Sequence, residues 1–286
     1  MSIELLVRKQ NRDGGWPYVR GGSWTEPTVY AVLALLSADE QQAARRGLRW
    51  LAALQRPDGG WPSQAGIEDS SWVTSLVALL PPETLGLQAH SRAIRWLARL
   101  TGEESTLLYR AREWLLGNPE PLEQHFPGWP WVPGTAAWVA PTAFAILALD
   151  KECRRRQTPD LQQRVDLGRR FLLVRMCHEG GWNHGSVRPL GYESRPYPET
   201  TGLALAALRG VRSSSIDLAL AAARRFFGEC RSADAFNWLR LGLMAHNQLP
   251  VPYQAPADLS RRSVPEASLD LVVAAAIQGK DVLWGI

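Results

Sequence analysis

The stretch Arg46–Trp61, RGLRWLAALQRPDGGW, combines two patterns that decide the fold. In its first half, Gly47 and Leu51 recur at helical spacing on one face while arginines occupy the others, which predicts an amphipathic helix. In its second half, Gln55 precedes Trp61 by six residues, and the paired glycines between them predict a tight turn. The stretch therefore predicts an outer helix that ends in a Gly-Trp turn.

The same unit recurs along the chain. Near the N-terminus, Gln10 again stands six residues before Trp16, with paired glycines between them. A third copy over 168–182 ends in Trp182 but has Met176 where the glutamine would stand. Self-similarity at a spacing of roughly 45–65 residues indicates a repeat architecture.

A second kind of segment follows each turn. It starts with polar residues typical of a helix N-terminus, as in Glu26-Pro27-Thr28, and continues as an almost unbroken apolar run. Helices that are apolar on every side are buried on every side. We therefore expect inner helices near 26–37, 70–80, 139–150, 197–209 and 234–247. The expected outer helices lie near 2–10, 43–55, 89–101, 164–176 and 219–231.

Two further segments, 104–117 and 266–278, bring the expected count to twelve helices, or six pairs. Residues 104–117 fit an inner or an outer helix equally well. The Pro- and Trp-rich stretch 119–134 is predicted to be a loop insertion, and no segment alternates at period two, so no strand is expected. The prediction is an all-α chain, with 1–286 folded as a single α/α toroid of about six inner and six outer helices around a central funnel.

The pattern Arg-Gly-x-x-Trp-Leu-x-x-x-Gln-x-x-x-Gly-x-Trp over 46–61 resembles the QW repeat of squalene–hopene and oxidosqualene cyclases. It is also similar to the repeats of protein prenyltransferase β subunits. The resemblance covers most of the chain and implies an apolar, aromatic-lined cavity for isoprenoids. It also implies that the amides of Gln10 and Gln55 cap the next inner helix and stack on Trp16 and Trp61. A shared fold does not by itself imply activity.

The catalytic motifs of those enzymes are absent from the sequence. Class II cyclases protonate an alkene with an Asp of a DxDD motif, and ionisation-type terpene synthases hold magnesium with DDxxD; the chain has neither. Alignment of the inner-helix starts places Glu26 and Glu199 where the middle Asp of DxDD would stand. Both are candidate catalytic acids, although a helix N-terminus favours the carboxylate over the protonated form. The alternative is that each is simply a helix-start carboxylate.

Aromatic residues recur at the same helix starts. Trp24, Trp138 and Tyr197 each fall two residues before the aligned position, and Trp72 and Trp238 lie near other inner starts. The π faces of such rings can bind a polyprenyl chain or stabilise a carbocation. We take the five as candidate substrate-binding residues; the alternative is that they only pack turns against helices.

A zinc site is a further hypothesis. Cys177, His178 and His184 are residue types that suit zinc. The adjacent Cys-His pair resembles lanthionine cyclases, which share the toroid and need another Cys, here Cys153 or Cys230. The alternative is a buried Cys beside a turn His. Zinc or magnesium are therefore the metals to test, and neither is required by the residues.

The composition is that of a globular protein with 45% apolar and 21% charged residues. No apolar run is long enough to span a membrane, no signal peptide is visible, and three scattered cysteines suggest a reducing cytoplasm. The excess of arginine over lysine suggests a GC-rich, bacterial genome. The net charge is +4, but the arginines are spread along the chain, which argues against nucleic-acid binding.

Three functional hypotheses remain open. The first is an enzyme that acts on isoprenoids as a terpene cyclase-like isomerase or a prenyltransferase-like transferase. The second is a non-catalytic toroid that binds a lipid, a peptide or a partner protein. The third is a zinc-dependent, lanthionine-cyclase-like enzyme. Residues 282–286 also offer a weak peripheral contact with a membrane.

Overall fold

The computed structural model describes residues 3–117, 126–185, 194–248, 262–280 and 283–284. Within these ranges its regular secondary structure is almost all helix, as predicted. The helices are α1 (Ile3–Arg8), α2 (Thr25–Ser37), α3 (Gln41–Leu54), α4 (Val73–Ala78), α5 (Pro82–Leu85), α6 (Leu87–Arg99), α7 (Leu107–Leu115), α8 (Val139–Arg156), α9 (Pro159–Val174), α10 (Pro198–Ala207), α11 (Ser214–Glu229), α12 (Ala233–Ala245) and α13 (Val264–Ile277).

The chain divides into two compact units. The first combines Met1–Leu97 with Pro252–Ile286, and in it α13 and α3 pack against α2. The second is Ala98–Val251, in which α10 packs against both α8 and α12, and α9 packs against α8.

Burial separates the helices into the two kinds that the sequence predicted. The helices α2, α4, α8, α10, α12 and α13 are buried along most of their length. The helices α3, α6, α9 and α11 bury only one face, which in α3 consists of small and aliphatic residues three or four positions apart. Gly47 shows why small residues are needed there, because a Cβ atom would lie 2.8 Å from Cζ3 of Trp16.

One hydrogen-bond pattern recurs at every Gly-Trp turn. The backbone N–H of the tryptophan donates to the hydroxyl of a threonine in the next buried helix. The pairs are Trp16–Thr28 at 2.9 Å, Trp61–Thr74 at 2.8 Å, Trp129–Thr142 at 2.8 Å and Trp182–Thr201 at 3.1 Å. In three of these turns the indole Nε1 also donates to a carbonyl of the preceding helix, at Leu6, Leu51 or Leu172. This hydrogen bond joins each turn to the next buried helix and gives the buried backbone N–H of the tryptophan an acceptor.

The turn at Gly128-Trp129 lies inside the segment that the sequence analysis predicted as a loop. Residues 119–125 of that segment lie outside the described residues. Trp129–Pro130 forms a two-residue strand that pairs antiparallel with Ala137–Trp138. The expectation of no strand was therefore wrong, because strands of two residues are too short to show an alternating pattern.

The glutamines do not have the predicted role at helix starts. Nε2 of Gln10 donates to the carbonyls of Gly14 (2.7 Å) and Ala43 (3.0 Å), the latter in α3. Nε2 of Gln55 donates in the same way to Gly59 and to Ala89 in α6. A glutamine would cap a helix N-terminus through its acceptor Oε1, but Oε1 of Gln55 accepts from Nη2 of Arg92 in α6. The glutamines thus join their own turn to the next one-sided helix, and their stacking on tryptophan stays a prediction.

The two unassigned segments behave differently. The segment 266–278 corresponds to α13 (Val264–Ile277), a buried helix that starts with a capping box between Ser263 and Glu266. Residues 104–117 contain α7, which buries none of its residues and is therefore not an inner helix. The described residues hold thirteen α-helices rather than twelve, and the short α5 is the addition. None of these helices is both long enough and apolar enough to cross a membrane.

Candidate functional site

A cavity of about 500 Å³ opens in the second unit. Its walls include Trp138, Tyr197, His184, Asn183 and Arg175. Trp138 and Tyr197 come from the starts of α8 and α10, and they are 39% and 46% exposed, so both present ring surface to solvent. The structure therefore brings together two of the five aromatic residues that the sequence singled out.

His184 completes this wall and meets the predicted acid Glu199. The imidazole stacks on the ring of Tyr197, with centroids 4.8 Å apart and planes 23° apart. Its Nε2 lies 3.9 Å from Oε1 of Glu199, the second residue of α10. An imidazole and a carboxylate at this separation can share or transfer a proton through a small shift or one water molecule.

The cavity also reaches a buried ion pair that the sequence did not predict. Nη2 of Arg175 lies 3.7 Å from Oε1 of Glu104, and both side chains are buried. The guanidinium stands over the ring of Phe171 at 4.2 Å, and both carboxylate oxygens of Glu104 accept from the N–H of Ala137 at 3.1 Å. These partners offset the cost of burying the two charges.

A similar cluster stands in the first unit, around the second predicted acid. The hydroxyl of Tyr18 donates a short hydrogen bond to Oε2 of Glu26, the second residue of α2. The ring of Tyr18 tilts against the predicted Trp24, with centroids 5.6 Å apart.

Burial changes the acid–base properties of this pair. Burial raises the pKa of Glu26, and the hydrogen bond from Tyr18 lowers it by a smaller amount. The pKa of Tyr18 is raised as well, first by burial and then by the charge of Glu26. The helix N-terminus was expected to favour the carboxylate; at Glu26 desolvation acts in the opposite sense and favours the protonated acid.

The two clusters arise from one repeat geometry. Tyr18 and His184 each follow the tryptophan of their turn by two residues, and Glu26 and Glu199 are each the second residue of the next buried helix. In α8 the second residue is Ala140, so that repeat has no carboxylate. The sequence analysis found the glutamates from the helix starts. Their partners could have been found by counting two residues on from each Gly-Trp pair.

The remaining predicted aromatic residues lie elsewhere. Trp72 is half-buried immediately before α4. Trp238 is buried in α12 and packs edge-to-face on Phe144 at 5.4 Å, so it forms part of the core rather than of the cavity wall. Its position inside α12, rather than at the helix start, explains the difference.

The predicted zinc ligands are not assembled as a set. Cys177 is buried, and its backbone closes the turn by donating to the carbonyl of Gly181, whereas His178 is exposed. In the part of the chain that the structure describes, no three His, Cys, Asp or Glu side chains could hold a metal ion together. Burial raises the pKa of the Cys153 thiol to about 11 and raises that of Cys230, so both thiols are protonated at neutral pH.

Comparison with known proteins gives short sequence matches, and no family model matches the chain. It is 46% identical to the squalene–hopene cyclase of Alicyclobacillus acidocaldarius over 15% of the chain and 7% of the relative. It is 23% identical to that of Zymomonas mobilis over 36% of the chain and 18% of the relative. Protostadienol synthase A of Arthroderma gypseum matches at 35% over 21% of the chain and 10% of the relative. The matches thus span less than a fifth of each relative.

Two kinds of solved structure share the fold. A GH8 endo-β-1,4-glucanase from an Achatina fulica gut metagenomic library aligns over 98% of both chains, with a TM-score of 0.62 and 13% identity. The type II terpene cyclase MstE from Scytonema aligns over 97% of this chain and 75% of its own, with a TM-score of 0.54 and 17% identity. A variant of MstE was solved with geranylgeranyl dihydroxybenzoate. The chain has the all-α, α/α toroid fold of these proteins, and the sequence matches support a squalene cyclase-like superfamily.

Proposed function

We propose that the chain binds an isoprenoid, or a similarly apolar small molecule, in the cavity of its second unit and rearranges it as a terpene cyclase-like enzyme. The observation that carries this proposal is the pair of exposed rings, Trp138 and Tyr197, on a cavity whose wall also includes His184, the neighbour of Glu199. Similarity to squalene–hopene cyclases and to MstE supports the choice of an isoprenoid.

The chemistry would need only proton transfer. A carboxylic acid gives its proton to an alkene carbon, which leaves a carbocation on the substrate and a carboxylate on the protein. The cation cyclises and then loses a proton to a base, so that no net proton is consumed. In this scheme Glu199 would exchange the protons, since its Oε1 lies 3.9 Å from Nε2 of His184 on the cavity wall.

The aromatic rings would protect the cation in the meantime. Ring faces attract a cation by about 2 kcal/mol or more where water is excluded. Trp138 and Tyr197 on the cavity wall would do this once a bound substrate displaced water from their exposed faces, and the same rings suit the apolar chain of the substrate.

Glu26 is the second candidate acid, in a separate cluster of the first unit. Its raised pKa favours the protonated form that such a reaction needs. The two acids are therefore tested side by side.

The test is product analysis by gas chromatography–mass spectrometry. The purified protein is incubated with magnesium and with geranyl, farnesyl or geranylgeranyl diphosphate or squalene, and carboxymethylcellulose serves as the polysaccharide control. The Glu199→Gln variant should abolish any new hydrocarbon or alcohol, and the exposed Glu83→Gln should not. If only the Glu26→Gln variant loses the product, Glu26 in the first unit would be the catalytic acid. Retention in both variants would contradict the assignment of either acid.

A non-catalytic binding toroid is the second candidate. The absence of DxDD and DDxxD favours it, because it needs no acid or metal. An intact lipid that is released only on denaturation, without turnover, would support it, and a co-purifying protein would point to a partner. Stoichiometric zinc by elemental analysis would instead support the lanthionine-cyclase-like hypothesis. Under each of these hypotheses we expect a cytoplasmic protein, which cell fractionation would check.

A further inference from the structure

The backbone around Trp138 is held on both sides of the residue. On one side, both carboxylate oxygens of Glu104 accept from the N–H of Ala137 at 3.1 Å. On the other side, the N–H of Val139 donates to the carbonyl of His184 at 2.9 Å. The two sequence neighbours of the tryptophan are therefore fixed against different segments of the second unit, and the direction of its side chain follows from theirs.

The indole itself packs against a glycine. A Cβ atom at Gly185 would lie 3.1 Å from both Cε3 and Cζ3 of Trp138, so the ring rests closely on this backbone. The N–H of Gly185 donates to Oδ1 of Asn183 at 2.9 Å, which holds the turn beside the ring. Part of the indole is thus covered by protein, while the residue stays 39% exposed on the cavity wall.

A buried charge serves the backbone donor of Ala137. Glu104 is buried together with Arg175, whose Nη2 lies 3.7 Å from Oε1 of the glutamate. A neutral carbonyl would satisfy the same N–H without the desolvation cost of a buried ion pair. Because a hydrogen bond to an ionised acceptor is roughly twice as strong as a neutral one, the carboxylate holds Ala137 more firmly than a carbonyl would.

The chain leaves room for this contact. A Cβ atom at Gly102 would lie 2.7 Å from the backbone nitrogen of Ala137 and would also meet Oε2 of Glu104. Next to them, the N–H of Glu103 donates to the carbonyl of Thr135 at 3.0 Å. The turn that carries Glu104 is therefore joined by its backbone to the segment that leads into the tryptophan.

We propose that Glu104 is a positioning residue for the cavity: it holds Ala137, and through it the ring of Trp138, in the orientation that meets a ligand. Arg175 keeps the carboxylate in place, and Gly185 supports the ring directly. The ring is then ordered before a ligand arrives, so that binding costs less side-chain entropy. Its contact with a ligand rests on the proposed function, whereas its orientation in the free protein does not.

Fluorine-19 NMR of the full chain labelled with 5-fluorotryptophan reports the environment of this ring without a ligand. The signal of Trp138 is the one that Trp138→Phe removes. Glu104→Gln should shift that signal or broaden it beyond detection, because the amide keeps the shape of the side chain but loses its charge. The signal of Trp238, buried in α12, should not change. The matched control is Glu103→Gln, an exposed neighbour, which should move neither signal.

Two outcomes of this measurement contradict the proposal. One is an unchanged Trp138 signal in Glu104→Gln. The other is an equal change in the signals of Trp138 and Trp238, because the carboxylate would then support the core in general.

Two further variants keep the test decisive if circular dichroism shows that Glu104→Gln does not fold. Arg175→Lys keeps the positive charge but lacks the planar guanidinium, so it should also shift the Trp138 signal. Gly185→Ala should shift it as well, since the added methyl group meets the ring. Unchanged signals in both variants would show that neither contact positions the ring.

Calorimetric titration with geranylgeranyl diphosphate measures the consequence for binding. Glu104→Gln should weaken binding by about two- to tenfold, which is the cost of ordering one side chain on binding. In the Trp138→Ala background the same change should have no further effect, since no ring is left to orient. An equal loss in both backgrounds would overturn the positioning role. If no isoprenoid binds the unchanged protein, the proposed function fails, while a Trp138 fluorine signal that responds to Glu104→Gln still supports the positioning of the ring.

Discussion

Replacement of Tyr18 by Phe isolates one hydrogen bond at a candidate acid. The substitution removes the hydroxyl that donates to Oε2 of Glu26 and keeps the ring beside Trp24. This donor stabilises the carboxylate, so its loss should raise a pKa that burial has already raised.

The size of the shift follows from the geometry. A hydrogen bond to a charged group contributes about 1.5–3 kcal/mol, and one pKa unit corresponds to about 1.4 kcal/mol, which gives roughly one to two units. Tyr18 is 38% exposed, so water can replace part of the lost bond. We therefore expect a rise of about one unit.

Carbon-13 NMR of labelled glutamate carboxyls measures this pKa directly, whether or not the protein turns over a substrate. Tyr109→Phe in α7 is the matched control and should leave the titration of Glu26 unchanged. An unchanged or lower pKa in Tyr18→Phe would refute the reasoning.

The same titration predicts how stability depends on pH. Because the folded-state pKa of Glu26 lies above its unfolded value, the contribution to stability is complete below the unfolded pKa and is lost as pH rises through the folded pKa. In Tyr18→Phe that loss should extend to higher pH. Urea unfolding of both proteins across this range would reveal it.

Three further substitutions test the packing and the cavity. Gly47→Ala should lower the free energy of unfolding by about 1–2 kcal/mol in urea denaturation, because overpacking against the indole of Trp16 exceeds the gain in helix propensity. The control is Gly228→Ala, whose added Cβ atom meets no atom within 4 Å, and it should not lower the free energy of unfolding. Thr74→Val should lower the free energy of unfolding by about 1–3 kcal/mol in the same assay, since the N–H of Trp61 loses its buried acceptor. An unchanged free energy of unfolding would contradict the shared role of the four threonines. Trp138→Ala should weaken isoprenoid binding by about five- to thirtyfold in calorimetric titration. Unchanged affinity would contradict the proposal that the isoprenoid binds in this cavity.

Periodicity was enough to predict most of the fold. Runs such as Val29–Leu35 are apolar on every side and are buried, while the arginine-bearing faces of α3 are exposed. The turn at Gly128-Trp129, the third along the chain, was missed because its proline-rich surroundings suggested a loop. Its Gly128-Trp129-Pro130 does repeat the Gly-Trp-Pro of the first two turns. The role of Gln10 could not be predicted from spacing, since spacing does not say which carbonyl an amide will reach.

The candidate site was predictable only in part. Alignment of helix starts placed Trp138 and Tyr197 at equivalent positions and Glu199 two residues after Tyr197, and in the structure the three lie near one cavity. It could not foresee that burial would act against the helix N-terminus at Glu26, because desolvation depends on neighbours that are distant in sequence. Trp238 was expected near the start of an inner helix but lies within α12. The sequence around a tryptophan does not show whether it stands at the start of a buried helix or inside it.

The discontinuous first unit has a consequence for synthesis on the ribosome. Its helix α2 packs against α13, and Nζ of Lys9 donates to the carbonyl of Arg262, 253 positions along the chain. The continuous second unit is translated between them, which takes roughly 10–30 seconds at ordinary elongation rates. During that interval the side of α2 that packs against α13 has no native partner, so a nascent chain stalled before Val264 should depend on chaperones in a way that the completed chain does not.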